Sequence, residues 1–193
     1  MKTNIAIFAS GGGTNAEEIL KYFEGHEYIS VKCILSNNAE AYVLKRAEKW
    51  NKPHLVFSRD QFYHSELVLD YLRDQSIDIV VLAGFLWLVP SMILKEFPET
   101  INIHPALLPK YGGKGMYGKY VHQQVLENAD SHTGITIHYV NERYDEGDII
   151  LQEKCDVSPR DKLEDVEKKI HALEYYHYPR VIEKIAGKTL KKL

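Results

Sequence analysis

The sequence has 193 residues, of which 45% are hydrophobic and 26% charged, so it can bury one substantial core but hardly two. Its formal net charge of −3 provides no overall basic field, which argues against a nucleic-acid partner. The longest apolar run, Ile79 to Val89, is about half of a membrane span and ends at Pro90, and the N-terminus does not resemble a signal peptide. We therefore expect one cytoplasmic domain over residues 1–193, a monomer or homodimer without a membrane partner.

The first hundred residues alternate between strand-like and helix-like patterns. This alternation predicts βαβ units around a mostly parallel sheet. The apolar run from Ile79 to Ala83 has no polar alternation, which is typical of a central strand covered on both faces. Strands are predicted over Asn4–Ala9, Ile29–Leu35, His54–Phe57, Ile77–Phe85 and Thr100–Ile103, and helices over Asn15–Phe23, Tyr42–Trp50, Gln61–Gln75 and Pro90–Phe97.

The pattern changes after Pro105, where the glycine-rich segment Tyr111–Gly118 precedes a helix. Two later strand-like segments are joined by a polar turn, which predicts an antiparallel extension of the sheet. Pro179 should bend or interrupt the last helix. The fold class predicted is a doubly wound α/β sheet with that extension and a long final helix. The elements predicted here are helices over Tyr120–Asn128 and Lys162–Ile185 and strands over Gly134–Val140 and Asp148–Val157.

A glycine loop follows the first predicted strand, in the segment Ser10–Asn15. Glycines let the backbone approach a ligand closely. Thr14 and Glu17 match a capping box at the start of the next helix. Free N–H groups and the helix dipole then favour a phosphate above the loop.

The same loop also fits a dinucleotide fingerprint, Gly11-x-Gly13-x-x-Ala16. That fingerprint requires an acidic residue at the end of the second strand to bind a ribose. The second strand here ends Leu35-Ser36-Asn37-Asn38, with no acid in the usual place. A non-catalytic dinucleotide-binding module remains an alternative.

Asn102 and His104 end the fifth predicted strand, immediately before Pro105. Because they are two residues apart, their side chains leave the same face of an extended segment. Ligands of doubly wound sheets bind at the carboxyl ends of the strands. An amide donor and an imidazole directed at one point suit a developing oxyanion and a proton in transfer.

Four segments resemble the phosphoribosylglycinamide formyltransferases and occur in that family's order. They are Ser10–Asn15, Val81–Phe85, Asn102–Tyr111 and Tyr144–Gln152. The resemblance implies a Rossmann-like fold and transfer of the formyl group of 10-formyltetrahydrofolate to the amine of 5′-phosphoribosylglycinamide in purine biosynthesis. Methionyl-tRNA formyltransferases and formyltetrahydrofolate deformylases share the Asn-x-His-Pro and Asp-x-Gly signals but carry additional domains, for which 193 residues leave no room. A formyltetrahydrofolate hydrolase or an amino-sugar formyltransferase is the alternative enzyme.

The resemblance also implies a role for individual residues. Asn102, His104 and Asp145 would be catalytic, with Asp145 holding His104 in its charged form; Asp148 is the competing carboxylate. His138 would line the same pocket or be an ordinary buried histidine. The substrate phosphate and ribose would lie against Gly13, Thr14, Asn15 and Glu174, and the folate against Arg59, Leu86, Trp87, Leu88, Val89, Asn102, Asn141, Glu142, Arg143, Tyr144 and Asp145.

Two segments depart from the family pattern. Leu86-Trp87-Leu88-Val89 stands where the family has Met-Arg-Ile-Leu, so a cation is lost beside the pterin pocket. Gly112–Gly118 is longer than the family's loop and would be either a lid with glycine hinges or a surface connection. Cys33 and Cys155 have no ligand-spaced partners, so no metal is expected.

Overall fold

The computed structural model describes residues 2–190, and within them seven strands form one sheet. The strands are β1 (Thr3–Phe8), β2 (Ile29–Ser36), β3 (His54–Val56), β4 (Ile79–Leu82), β5 (Thr100–His104), β6 (His132–Tyr139) and β7 (Ile149–Asp156). The helices are α1 (Thr14–Tyr22), α2 (Tyr42–Lys49), α3 (Arg59–Tyr63), α4 (Leu67–Asp74), α5 (Ser91–Glu96), α6 (Lys119–Glu127) and α7 (Leu163–Leu190).

The strand order is β3-β2-β1-β4-β5-β6-β7, with β1 to β5 parallel and both β6 and β7 antiparallel to their neighbours. The predicted fold class is therefore confirmed, including the antiparallel extension. From β1 the chain builds the sheet first to one side and then, starting at β4, to the other. The carboxyl ends of β1 and β4 consequently border a crevice at this reversal of strand order.

The sheet separates two hydrophobic cores. Along β1, Ile5 and Ile7 point into the core under α1, α2 and α7, and Ala6 and Phe8 point into the core on the opposite face. All of β4 is buried as well, with no residue above 4% exposure. Continuous apolar strands are expected where a parallel sheet is covered on both faces.

The predicted helix Gln61–Gln75 is two helices, α3 and α4, separated at residues 64–66. The first begins at Arg59 because Ser58 is a helix cap. Its hydroxyl accepts a hydrogen bond from the backbone N–H of Gln61, and the Gln61 side chain accepts one from the backbone of Ser58. Because of this reciprocal capping box, the helix begins at Arg59, two residues before the predicted start at Gln61.

The capping box predicted at Thr14 and Glu17 is wrong. Helix α1 begins at Thr14 itself, and the cap position is Gly13, which has a left-handed backbone conformation and makes no side-chain cap. The Glu17 carboxylate is buried and turns instead towards α2. Among the described residues, no side chain therefore caps the first N–H groups of α1.

The sequence predicts that Pro179 bends or interrupts the last helix; the helix continues through it, so an interruption is wrong, and a bend stays a prediction. Proline removes one backbone hydrogen bond, and the packing around it holds the helix in place. The fully buried Tyr178 hydroxyl donates to the carbonyl oxygens of Leu82 (2.8 Å) and Ile101 (3.2 Å), which joins α7 to β4 and β5. No helix in the range 2–190 is both long and apolar enough to cross a membrane.

Tyr178→Phe should lower the free energy of unfolding by about 1–2 kcal/mol, because two buried carbonyl groups lose a hydrogen-bond donor. Urea denaturation followed by circular dichroism measures it. Tyr176→Phe is the matched control, since Tyr176 lies two residues away on the same helix and is 56% exposed. Equal stability changes in the two variants would contradict the anchoring role.

Candidate active site

A cavity of about 970 Å³ lies at the carboxyl ends of β1, β4 and β5. Its walls are the glycine loop after β1, the segment after β4, the end of β5, residues 113–118 and one face of α7. Residues 113–118 thus belong to the cavity wall. Within the described part of the chain, no cluster of histidine, cysteine and carboxylate side chains is arranged to hold a metal ion.

Asn102, His104 and Asp145 meet in this cavity. Asn102 and His104 lie on β5, in register with His138 and Thr136 of the antiparallel strand β6. Asp145 follows β6 in a turn and adopts a positive φ of 57°. Its Oδ2 lies 3.5 Å from Nδ1 of His104, whereas Asp148 is exposed and outside the cavity wall. The geometry therefore favours Asp145 as the carboxylate beside the imidazole.

The tautomer of His104 is set by a backbone carbonyl. Nε2 lies 2.7 Å from the carbonyl oxygen of Tyr111, so it carries a hydrogen and donates it. In the neutral ring Nδ1 is then unprotonated and faces Asp145. A proton taken up at Nδ1 would lie directly between the ring and the carboxylate.

Burial lowers the pKa of His104 below its ordinary value, even though Asp145 and the Tyr111 carbonyl raise it. As expected, Asp145 favours the protonated form of His104, but its effect on the pKa is smaller than that of burial, so it does not keep the ring charged. For Asp145, burial alone would raise the pKa, but His138, His104 and the Gly113 N–H outweigh it and the pKa is lowered. The resting pair at neutral pH is thus a neutral imidazole next to a carboxylate.

His138 lies behind Asn102 and orients its amide. Nδ1 of His138 donates to the carbonyl oxygen of Tyr139 (2.8 Å), so Nε2 can accept from Nδ2 of Asn102 (3.2 Å). The ring is 2% exposed and is not part of the cavity wall. His138 is therefore a buried, hydrogen-bonded histidine, and the second Nδ2 hydrogen of Asn102 is available to a ligand.

At one end of the cavity, Gly13, Thr14, Asn15 and Glu174 are brought together. Asn15 donates from Nδ2 to Oε2 of Glu174 over 3.0 Å. Glu174 is only 6% exposed, and burial raises its pKa to about 7, with Asn15 opposing the shift. This carboxyl group therefore changes charge near neutral pH.

The opposite end is aromatic. Arg59 lies over the rings of Tyr63 and Trp87, with its guanidinium carbon 5.2 and 5.6 Å from the ring centroids. Leu86, Leu88 and Tyr144 complete this end. Four residues expected at the folate are not part of the cavity wall. Val89 is buried in the hydrophobic core that contains Phe8, and the exposed turn before Asp145 carries the other three, Asn141, Glu142 and Arg143.

The sequence analysis did not predict several residues of the cavity wall, among them Tyr63, His122, Glu167 and His171. His171 precedes Glu174 by three residues on α7, and this spacing places both on one helix face, a signal that the sequence did contain. His122 is 2% exposed, Nδ1 has no hydrogen-bond partner among the described residues, and burial lowers the pKa of the ring to about 4. No sequence pattern singled it out.

Comparison with known proteins identifies the class. Residues 3–182 match the formyl transferase family model, and the chain belongs to that family. Among its relatives, the phosphoribosylglycinamide formyltransferase of Haemophilus influenzae is 37% identical over 93% of this chain and 85% of its own length. The enzyme of the same name from Bacillus subtilis is 32% identical over 94% of each chain.

Solved structures of enzymes from this family superpose closely on this chain. Glycinamide ribonucleotide transformylase 1 from Symbiobacterium toebii superposes with a TM-score of 0.86 at 34% identity, covering 97% of this chain and 89% of the other. Phosphoribosylglycinamide formyltransferase from Bacillus halodurans gives a TM-score of 0.85 at 34% identity, with 97% of both chains covered.

Asp145→Asn should lower kcat by roughly 10²–10⁴, the range for losing a group that assists proton transfer. It should also lower the pKa of His104 further, because a neutral amide no longer favours the protonated ring. NMR titration of the His104 ring in both proteins measures the shift. Asp148→Asn is the control and should change neither quantity, whereas an unchanged His104 pKa in Asp145→Asn would contradict the pairing.

Proposed function

We propose that this protein transfers the formyl group of 10-formyltetrahydrofolate to the amine of 5′-phosphoribosylglycinamide, a step of de novo purine biosynthesis. One observation carries the proposal. The cluster of Asn102, His104 and Asp145 lies in a single cavity, between a glycine loop at a helix N-terminus and an aromatic end. The named relatives and their structures support the same activity.

Each end of the cavity suits one substrate. The phosphate binds at the glycine loop, where the first turn of α1 offers unpaired N–H groups and the positive end of its dipole. The ribose or glycyl portion then lies against Asn15 and Glu174. The pterin lies at the aromatic end beside Leu86, Trp87 and Leu88. The amine and the formyl carbon consequently meet at Asn102 and His104.

The reaction begins when the unprotonated amine attacks the formyl carbon, forming a new C–N bond and an oxyanion. The free Nδ2 hydrogen of Asn102 donates to this oxyanion. The amine must lose one proton, and Nδ1 of His104 can hold it next to Asp145. When the bond from carbon to N10 breaks, that proton goes to N10 and tetrahydrofolate leaves. One proton is lost by the amine and one is gained by the folate.

The decisive assay mixes the protein with 10-formyltetrahydrofolate and 5′-phosphoribosylglycinamide and follows the formation of tetrahydrofolate. Asn102→Ala should reduce kcat by roughly 10²–10³, the usual effect of losing one oxyanion donor. Circular dichroism of the variant should match the parent protein, since Asn102 faces the cavity. A folded Asn102→Ala variant with parental turnover would remove Asn102 from the mechanism.

The same assay separates the alternative enzymes. Release of formate at the same rate without an amine acceptor would indicate a hydrolase. Transfer to an amino sugar in preference to the ribonucleotide would indicate a different acceptor.

Glu174→Gln tests the ribosyl end of the cavity. In the parent protein kcat/KM for the ribonucleotide should rise as pH passes through about 7, because Glu174 becomes a carboxylate and a stronger hydrogen-bond acceptor. The variant should lack this inflection, while the inflection from the substrate's own amine remains in both. Identical pH profiles for parent and variant would show that Glu174 does not contact the substrate.

A further inference from the structure

Two carbonyl groups of the glycine loop are held from outside the cavity by α2. The carbonyl oxygen of Gly11 accepts from the backbone N–H of Val43 at 3.1 Å. The carbonyl oxygen of Gly12 accepts from Nε of Arg46 at 2.8 Å. Both partners lie on the helix that packs under the loop, and Arg46 itself is not part of the cavity wall.

Fixing these carbonyls also fixes two N–H groups. Both peptide bonds are trans, and in a trans peptide the N–H points opposite to the C=O. Because the Gly11 and Gly12 carbonyls point at α2, the N–H groups of Gly12 and Gly13 point away from it. Both glycines line the cavity, and no group that the structure describes accepts a hydrogen bond from either N–H. These two donors are thus directed at a ligand.

Arg46 is held in this position by a buried carboxylate. Glu17 is 4% exposed and accepts from Nη1 of Arg46 (2.8 Å), Nζ of Lys49 (3.0 Å) and Nε1 of Trp50 (3.2 Å). Burial alone would raise the pKa of Glu17, but these donors outweigh it and lower the pKa to about 2. The carboxylate therefore remains charged at neutral pH. The Arg46 guanidinium also lies over the ring of Tyr42, 5.1 Å from its centroid.

The contact between the loop and α2 is also sterically tight at Gly13. A Cβ added there would lie 2.4 Å from Cγ2 of Val43, and φ at this residue is +69°. A side chain at Gly13 would therefore collide with α2 rather than with a bound anion. We call the hydrogen bond from Arg46 to the Gly12 carbonyl the brace. Because a substitution at Gly13 would disturb α2, the brace is better tested at Arg46.

We propose that Arg46 is a positioning residue for anion binding: by holding the Gly12 carbonyl, it directs the N–H groups of Gly12 and Gly13 at the monoester phosphate of the ribosyl substrate. The inference rests on the proposed function for the identity of that substrate. Arg46 acts through the backbone and not as a direct phosphate ligand, because it is not part of the cavity wall and its Nε and one Nη1 hydrogen are directed at Gly12 and Glu17.

Arg46→Met tests the brace with two substrates, the ribonucleotide and its 5′-dephosphorylated riboside. The variant should raise KM for the ribonucleotide about tenfold, a loss comparable to one charge-assisted hydrogen bond, with kcat nearly unchanged. Its constants for the riboside should equal those of the parent protein. Lys49→Met is the matched control, since it removes another cation from Glu17 without touching the loop, and it should leave both substrates unaffected.

A loss of equal size with both substrates, or no loss at all, would overturn the brace. If Arg46→Met does not fold, Arg46→Lys replaces it. An ammonium keeps the charge but cannot reproduce the planar fork to both acceptors, so the same selective rise in KM is expected.

Failure of the proposed function would be visible separately, in the parent protein. Absence of turnover, or equal rates with ribonucleotide and riboside, would contradict the assigned reaction or its phosphate site. Calorimetry with inorganic phosphate tests the brace without turnover. Weaker binding to Arg46→Met than to the parent would support it, and equal binding would overturn it.

Discussion

The pairing of β4 with β1 is the constraint on which the site depends. In this parallel register Ile5 to Phe8 lie beside Ile79 to Leu82, so the loops after both strands open at the same edge of the sheet. Strand β5 continues the sheet with Asn102 beside Leu82. The glycine loop after β1, the segment after β4 and the Asn102–His104 pair on β5 therefore meet at one edge of the sheet. No long loop has to reach across the molecule to bring them together. The Tyr178 hydroxyl bonds to β4 and β5 and fixes α7, which carries Glu174, over the same edge.

Burial acts differently on the ionisable groups gathered there. It lowers the pKa of His104, raises that of Glu174, and is overcome at Asp145 by hydrogen bonds and by the neighbouring histidines. In the cavity Asp145 thereby stays charged at neutral pH, whereas Glu174 titrates near neutrality. A neutral His104 with Nδ1 unprotonated beside a fixed carboxylate can take up a proton at that nitrogen, which a ring already charged could not do.

Much of this arrangement could be predicted from local pattern. Alternation of strands and helices indicates the parallel sheet, and the two-residue spacing of Asn102 and His104 places them on one face. The choice of Asp145 over Asp148 came from family resemblance, because nothing in a polar turn distinguishes two carboxylates. The incorrect prediction of a capping box at Thr14 shows the limit of reading structure from local sequence pattern. Glu17 sits at the right spacing for a capping box, yet the donors on α2 compete for its carboxylate, and such a tertiary contact leaves no local signature.

The aromatic end of the cavity shows how rings can hold a cation in place. The guanidinium of Arg59 lies over the rings of Trp87 and Tyr63. Tyr63 is fixed in turn by donating its hydroxyl hydrogen to the carbonyl oxygen of Leu88 over 2.9 Å. Such cation–π contacts are each worth about 0.5–1 kcal/mol at exposed sites, enough to restrict a long side chain without burying its charge. Trp87 and Tyr63 therefore form a surface that orients the Arg59 guanidinium at this end of the cavity.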